Sequence, residues 1–185
     1  RPPMSRMTAP DQSSIASPPE FGPTRGVLFQ YGNSWNSVVT ACVSALTAGT
    51  VRDEIAWVVV SSQANATAAA SAFSAAGANL SKVVFVIQPN NSVWMRDYGP
   101  HFAWEGGTLT VVDSHYYPTR PQDNFIPTLV GEGNFGVKPY HMGVYFSGGN
   151  FQPGPNRTGF CTSLVTVDNP TSEGFTDAML REMFG

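Results

Sequence analysis

The chain has 185 residues, of which 42% are hydrophobic and 12% are charged, and its formal net charge at pH 7 is −3. A chain of this length and hydrophobic content folds as about one domain with a substantial core, which excludes an intrinsically disordered protein. Its Lys and Arg residues form no basic run, so we expect no nucleic-acid partner. No apolar stretch is long enough to cross a membrane, so we expect no membrane partner either.

Residues 1–24 are rich in proline and serine and have no hydrophobic periodicity, so we interpret them as an extended N-terminal arm. Residues 25–185 are expected to belong to one domain. In the first part of this domain, short apolar runs predict buried strands at 26–31, 55–60 and 83–87.

Two helices are predicted between these strands. In the first, apolar residues recur at helical spacing from Trp35 to Leu46, with Asn33 or Ser34 as the N-cap. The second is an alanine-rich segment at 64–76 that ends at Gly77. The resulting order, β-α-β-α-β, is typical of an α/β fold.

After Pro89 the composition changes to glycine, proline, asparagine and aromatic residues. A helix is expected near 124–132, and another at 171–185, where Gly185 takes the position of a C-cap glycine. Strands are expected at 101–104, 108–113, 144–147 and 159–167.

The two cysteines form neither a disulfide framework nor a metal-binding cluster, and we expect no cofactor and no metal site. Cys42 lies on the apolar face of the first predicted helix and Cys161 lies in a predicted strand, so both are expected to be buried core thiols. The low charge, the few lysines and the many Ser, Thr, Asn and Gly residues favour a secreted or periplasmic protein.

The segment Asn90–Pro100 follows a buried strand, which is where α/β folds place their sites. Asp97 can accept two hydrogen bonds from a planar guanidinium, and Trp94 can cover a cation. On composition alone, the favoured explanation is that Asp97 pairs with Arg96 or caps a turn and that Trp94 lies in the core.

Three motifs in chain order carry a resemblance to a known family. WMRDYGP (Trp94–Pro100) resembles the WxRDYGP motif of the Porphyromonas-type peptidylarginine deiminases, and the related agmatine deiminases usually have threonine in place of Tyr98. YPTRPQDNFIP (Tyr117–Pro127) is similar to the RPRPNDNxIP stretch of the family, and SGGNF (Ser147–Phe151) is similar to its TGGNY turn.

The resemblance implies a fold of the α/β-propeller (pentein) class, built of ββαβ units, of which residues 25–185 form the N-terminal part, about half. It also implies hydrolysis of a guanidinium group, in which a cysteine thiolate attacks the guanidinium carbon and a histidine moves protons. Two carboxylates hold the guanidinium nitrogens, since the group is always charged and is a poor electrophile.

Carried over position by position, the resemblance makes Asp97 the first guanidinium-binding carboxylate and Trp94 a residue that lines the guanidine pocket. Arg120 matches the second arginine of RPR, which binds the carboxylate of a C-terminal arginine substrate. Pro118 stands at the first arginine, which weakens that specificity. Asn150 either shapes the floor of the site or serves only the turn.

The family's HxD motif is absent, because His101, His115 and His141 are followed by other residues. We therefore expect a second chain that carries the HxD motif and the catalytic cysteine, as in a cleaved protein, or else a shortened sequence.

The expected reaction converts peptidylarginine to citrulline and ammonia. The alternatives are conversion of agmatine to N-carbamoylputrescine, and a non-catalytic half that binds arginine-containing peptides. The expected ligand is thus an arginine-containing peptide or a small guanidino compound.

Overall fold

The structure is a computed structural model that describes residues 10–184 apart from 12, 20, 50–52 and 155–157, with the backbone alone at 182–184. The chain divides into two compact units. Pro23–Met95 form the first, which we call the parallel-sheet unit. The described residues from Arg96 onward, together with the described residues up to Gly22, form the second, which we call the mixed-sheet unit.

In the part that the structure describes, the parallel-sheet unit has three strands and two long helices. The strands are β2 (Gly26–Gln30), β3 (Ile55–Val60) and β4 (Val83–Ile87), and β1 (Ile15–Ala16) precedes them in the other unit. They pair in the order β2-β3-β4, all parallel. The helices are α1 (Asn36–Thr47) and α2 (Gln63–Ala75). The predicted order β-α-β-α-β is confirmed.

The core of this unit lies between the sheet and its helices. Phe73 of α2 is fully buried. Its ring stacks on Phe85 with a centroid distance of 6.2 Å and meets the Tyr31 ring edge-on with a centroid distance of 5.3 Å. The fully buried Thr47 closes α1 because its hydroxyl donates to the Val43 carbonyl and accepts from the Asn79 N–H. A continuous run of β-branched residues in β3 is expected where a central parallel strand is covered by helices.

Two sequence predictions for α1 are wrong. Its N-cap is Trp35 rather than Asn33 or Ser34, and Cys42 is exposed rather than buried. The buried side of the helix runs through Val43 and Thr47, so the stripe that packs on the sheet is rotated away from the predicted face.

The mixed-sheet unit contains a four-stranded sheet in the order β1-β5-β6-β7, with β5 (His101–Glu105), β6 (Thr108–His115) and β7 (Lys138–Tyr145). The pairs β1–β5 and β5–β6 are antiparallel, whereas β6 and β7 are parallel. Gly106 and Gly107, with φ of 55° and 86°, form the hairpin turn, since both positions require the left-handed region.

The connection from β6 to β7 contains the helix predicted near 124–132. It consists of a 3₁₀ turn at Asp123–Phe125, α4 (Ile126–Val130) and a π-helical turn at Gly131–Phe135. The short helix α3 (Met95–Tyr98) comes before β5 and begins at the last residue of the parallel-sheet unit.

The segment after β7 differs from the prediction. The strand expected at 144–147 ends at Tyr145, and of the strand expected at 159–167 only β9 (Gly159–Phe160) exists, paired with β8 (Gln152–Pro153). Leu164–Asp168 forms α5, because the Thr162 hydroxyl accepts the Leu164 N–H and starts a helical turn.

Cys161 therefore lies outside a strand and is exposed, so its predicted burial is also wrong. The final helix is α6 (Asp177–Phe184), and Gly185 lies outside the described residues. Within the predicted arm at 1–24, Ile15–Ala16 pairs with β5 as β1, and the division into arm and domain stays a prediction.

The second core packs the last helices against the end of β7, through Val144, Phe146, Val165, Phe175 and Leu180. Asn169, which is 2% exposed, joins these parts because its side chain accepts from the Tyr145 N–H and donates to the carbonyls of Tyr145 and Val165. Within the described ranges, no helix has the length and apolar character needed to span a bilayer.

Candidate active site

Asp97 lies half-buried in α3 and packs directly on the turn Ser147–Asn150. A Cβ atom at Gly149 would collide with the Asp97 carboxylate oxygen. A Cβ atom at Gly148 would collide with the Arg96 carbonyl and would lie 2.6 Å from Nε2 of His101. The two glycines are therefore required for this turn to lie against the Asp97 segment.

Contacts on both sides hold the turn and the Asp97 segment together. Arg96 donates from Nη2 to the Phe151 carbonyl at 3.2 Å. The His101 ring packs against Phe146 and Phe151, with centroid distances of 6.0 Å and 6.2 Å. His101 thus contributes to the packing beneath the turn.

Asn150 fastens the far end of the same turn. Its Oδ1 accepts from the Thr162 N–H at 2.9 Å and from the Thr162 hydroxyl at 2.8 Å. These hydrogen bonds connect the turn to the segment before α5, which is a positioning role. A contact between Asn150 and substrate stays a prediction.

Arg120 is anchored by the two tyrosines at the end of β6. Its Nη1 donates to the Tyr116 hydroxyl at 2.8 Å, and its guanidinium carbon lies 5.7 Å and 5.9 Å from the ring centroids of Tyr116 and Tyr117. The backbone N–H of Tyr116 donates to Asn124 Oδ1 at 2.7 Å. The loop that carries Arg120 is therefore pre-organised by hydrogen bonds and by cation–π contact.

Tyr116 connects Arg120 electrostatically with Asp97. The pKa of the Tyr116 phenol is raised, mainly by burial and further by the negative charge of Asp97, while the positive charge of Arg120 opposes the rise. Burial, with the charge of Asp123 adding to it, also holds the pKa of Tyr98 well above its usual range. Both phenols are thus neutral hydrogen-bonding groups at physiological pH.

Sequence reasoning assigned no role to Tyr98, Tyr116 or Asp123. Tyr98 and Tyr116 are 3% and 5% exposed and their rings lie 5.6 Å apart, and Asp123 is fully buried. Buried polar groups of this kind are unusual, and they cluster around functional sites. The signal in the sequence was the doublet Tyr116–Tyr117, whose second tyrosine is the first residue of the second motif.

Of the predicted site residues, Asp97, Arg120 and Asn150 belong to the mixed-sheet unit. Asp97 packs on Gly149, the neighbour of Asn150. Its charge also acts on the Tyr116 phenol, to which Arg120 donates. Trp94 belongs to the parallel-sheet unit, where it is 43% exposed and meets Trp35 edge-on with a centroid distance of 5.2 Å. Trp94 is therefore not a core residue, contrary to the simplest interpretation from composition.

A cleft of about 370 Å³ lies beside the Arg120 loop. Its lining residues are Tyr117, Pro118, Tyr145, Asp168 and Glu173. Burial raises the pKa of Asp168 above its ordinary value of 3.8. Across the parts of the chain that the structure describes, no three His, Cys, Asp or Glu side chains are grouped as metal ligands.

No protein-family model matches the chain. The structure does match solved deiminase structures. It is similar to the agmatine deiminase of Enterococcus faecalis with a TM-score of 0.74 and 18% identity, over 92% of this chain and 50% of that chain. It is similar to a protein provisionally named a peptidyl-arginine deiminase with a TM-score of 0.75 and 15% identity, over 93% and 53%.

A third similar structure is the provisionally named arginine deiminase of Porphyromonas gingivalis, with a TM-score of 0.71 and 16% identity, over 91% of this chain and 52% of that chain. At these identities the likeness shows the fold. The chain has the mixed α/β fold of the solved agmatine and arginine deiminases, and it spans about half of their length. The resemblance inferred from three short motifs is thus confirmed at the level of the fold.

Proposed function

We propose that the protein is a guanidino deiminase, which hydrolyses the guanidinium group of an arginine residue to the ureido group of citrulline and releases ammonia. The observation that supports this most strongly is the arrangement around Asp97. Its carboxylate lies on the Gly148–Gly149 turn and acts electrostatically on the Tyr116 phenol, to which Arg120 donates. Asp97, Arg120 and the Gly-Gly pair come from the three motifs of the deiminase pattern, and Tyr116 directly precedes the second motif.

In the proposed reaction, a cysteine thiolate adds to the guanidinium carbon and a histidine gives a proton to the departing ammonia. Water then adds to the same carbon, and the thiolate leaves as the ureido product forms. Asp97 accepts hydrogen bonds from two guanidinium nitrogens, which fixes the plane of the group and offsets its charge. The resemblance to the deiminases adds Trp94 as a residue proposed to line the guanidine pocket.

The nucleophile and the proton-transfer histidine are not assigned to this chain. Cys42 and Cys161 are exposed and no HxD motif is present. The chain is proposed to form the N-terminal part, about half, of an α/β propeller that contributes one wall of the active site. A second chain or segment then supplies the HxD motif and the catalytic cysteine.

Peptidylarginine is the proposed substrate, with agmatine as the alternative. Agmatine deiminases generally have an acidic residue before the Gly-Gly pair, where this chain has Ser147, and a threonine where it has Tyr98. Arg120 is held in place by Tyr116 and Tyr117, and a fixed guanidinium suits a substrate carboxylate, which agmatine lacks. We further propose a secreted or periplasmic location, on composition alone.

The test uses the protein as purified, with any chain that copurifies. Intact-mass measurement shows whether a second chain is present, and N-terminal sequencing identifies it. Ammonia release is then compared for an arginyl peptide, free arginine and agmatine. Turnover of the arginyl peptide above the other two supports the proposal, and turnover of agmatine alone supports the alternative. Binding of the peptide without turnover, in a sample that contains the second chain, indicates a non-catalytic arginine-binding protein.

A further inference from the structure

Trp35 and Trp94, here called the tryptophan pair, expose two large rings beyond the carboxyl ends of strands in the parallel sheet. Trp35 follows β2 and Trp94 follows β4, so both lie beyond the carboxyl ends of parallel strands, where α/β sheets bind ligands. The rings are 57% and 43% exposed, with centroids 5.2 Å apart and planes at 78°. Neither ring is buried in the core of the unit.

The backbone at Trp35 is unsuited to tryptophan in two ways. Its φ is 59° and ψ is 26°, and among the described residues it alone combines a positive φ with a side chain. Bulky residues are strained in this left-handed region, whereas Gly and Asn tolerate it. Trp35 is also the N-cap of α1 without a side-chain capping hydrogen bond, which an asparagine would supply.

A network of amides fixes the two loops that carry the tryptophan pair. Asn90 Oδ1 accepts from Gln30 Nε2 at 3.0 Å and from Asn33 Nδ2 at 2.8 Å, and Asn90 donates to the Gln88 carbonyl at 3.0 Å. Gln30 and Asn90 are 2% and 7% exposed. These buried hydrogen bonds join the loop after β2 to the loop after β4, so the two rings are positioned before any ligand binds.

From this geometry we propose that Trp35 contacts the substrate and, with Trp94, forms an aromatic wall against which the arginine side chain lies. The inference rests on the proposed deiminase function, because that function makes arginine the ligand. Indole is the best aromatic partner for a cation, and a planar guanidinium stacks on it more effectively than an ammonium group. Strain retained at an exposed residue is common at binding sites, where it holds a side chain ready.

The test replaces Trp35 with asparagine, which suits both the left-handed backbone and the N-cap position. The purified protein, with any chain that copurifies, is assayed on an arginyl peptide. We expect KM to rise about 2- to 30-fold with kcat little changed, since the contact is made in the ground state and the transition state alike. The Tm should not fall, because the backbone strain is relieved.

Two comparisons separate ligand contact from a structural role. In Trp35→Asn, inhibition by the matching citrullyl peptide, whose side chain is neutral, should weaken less than binding of the arginyl peptide. Trp35→Phe keeps an aromatic ring and should retain part of the affinity for the arginyl peptide. Trp104→Asn is the control, because Trp104 is 45% exposed in the other unit, and it should leave KM unchanged.

If the wild-type protein neither binds nor converts arginyl peptides, the proposed function fails and this inference fails with it. If the wild type is active and Trp35→Asn has an unchanged KM, the inference alone is overturned. It is also overturned if the variant loses its fold, or if arginyl and citrullyl peptides weaken equally, since either result makes Trp35 a structural residue.

Discussion

Asp97 is the residue around which the groups of the mixed-sheet unit are arranged. Gly149 leaves space for its carboxylate, and the pKa of the Tyr116 phenol is raised mainly by burial and further by the charge of Asp97. The phenol accepts a hydrogen bond from Arg120. A neutral, buried tyrosine therefore holds the Arg120 guanidinium, while the glycine turn packs on the Asp97 carboxylate, so both charged groups have fixed neighbours in the folded chain.

The first prediction concerns Gly149. In Gly149→Ala the new Cβ would collide with the Asp97 carboxylate, which must move. Since a displacement of about 1 Å in a catalytic group costs about 100-fold, we expect kcat/KM for an arginyl peptide to fall by about that factor. Gly133→Ala is the control, because nothing lies within 4 Å of a Cβ atom there. Equal activity of the two variants would contradict the close contact.

Arg120 gives a prediction about substrate choice. Arg120→Ala should lower kcat/KM for peptides with a C-terminal arginine far more than for arginine amides, because only the former present a carboxylate. The measurement is kcat/KM for both substrates in both proteins. An equal loss for the two substrates would assign Arg120 to the support of Tyr116 and Tyr117 and remove it from substrate binding.

At the scale of secondary-structure elements, Asp113 joins β6 to α4 and β7. It accepts a 2.6 Å hydrogen bond from the Thr128 hydroxyl, and its carboxylate lies 3.3 Å from Nδ1 of His141. Burial raises the pKa of Asp113 above its ordinary value of 3.8, although Thr128 and His141 oppose the rise. The folded protein therefore holds this proton more tightly than the unfolded chain does.

The stability contributed by Asp113 should accordingly be largest below about pH 4 and decline as the pH rises through the raised pKa. Asp113→Asn keeps the shape of the side chain without the titrating charge. We expect the Tm of the variant minus that of the wild type to increase from about pH 4 to about pH 7. Asp53→Asn, at an exposed position, should show no such trend. A difference that is constant or decreases with pH would contradict the account.

Elements with a strong local signal were predictable, whereas those decided by distant contacts were not. The β-branched run Ile55–Val60 and the Ala-rich segment before Gly77 form the strand and helix that their composition indicates. By contrast, Leu164–Asp168 alternates like a strand but becomes a helix. A hydrogen bond from Thr162 to Asn150, twelve residues away, fixes its start.

In the candidate site, too, some residues could be predicted from the sequence and others could not. Asp97, Arg120 and the Gly-Gly turn are recognisable because each lies in a motif with fixed spacing. The hydrogen bond between Tyr116 and Arg120 joins residues only four apart, but it depends on the conformation of the loop between them. The left-handed backbone of Trp35 is one that tryptophan rarely adopts. Neither feature could be predicted from residue types alone. The exposure of Cys42 likewise follows from which side of α1 packs on the sheet, which periodicity fixes only approximately.

At the scale of the whole molecule, the chain spans about half the length of the solved deiminases that it matches. Its proposed contribution is the carboxylate that holds the guanidinium and the residues that recognise the substrate. The nucleophile and the proton-transfer histidine are proposed to come from a second chain or segment. The central claim is therefore that Asp97 holds a guanidinium group while it is hydrolysed.

The most direct measurement follows citrulline formation from an arginyl peptide in water labelled with heavy oxygen, for wild type and Asp97→Asn. The wild type should release ammonia and place one heavy oxygen in the ureido group. Removing one partner of a buried charge pair costs about 3–5 kcal/mol, so Asp97→Asn should lower kcat/KM by about 100- to 5,000-fold. Unlabelled product, or an Asp97→Asn variant nearly as active as the wild type, would contradict the account.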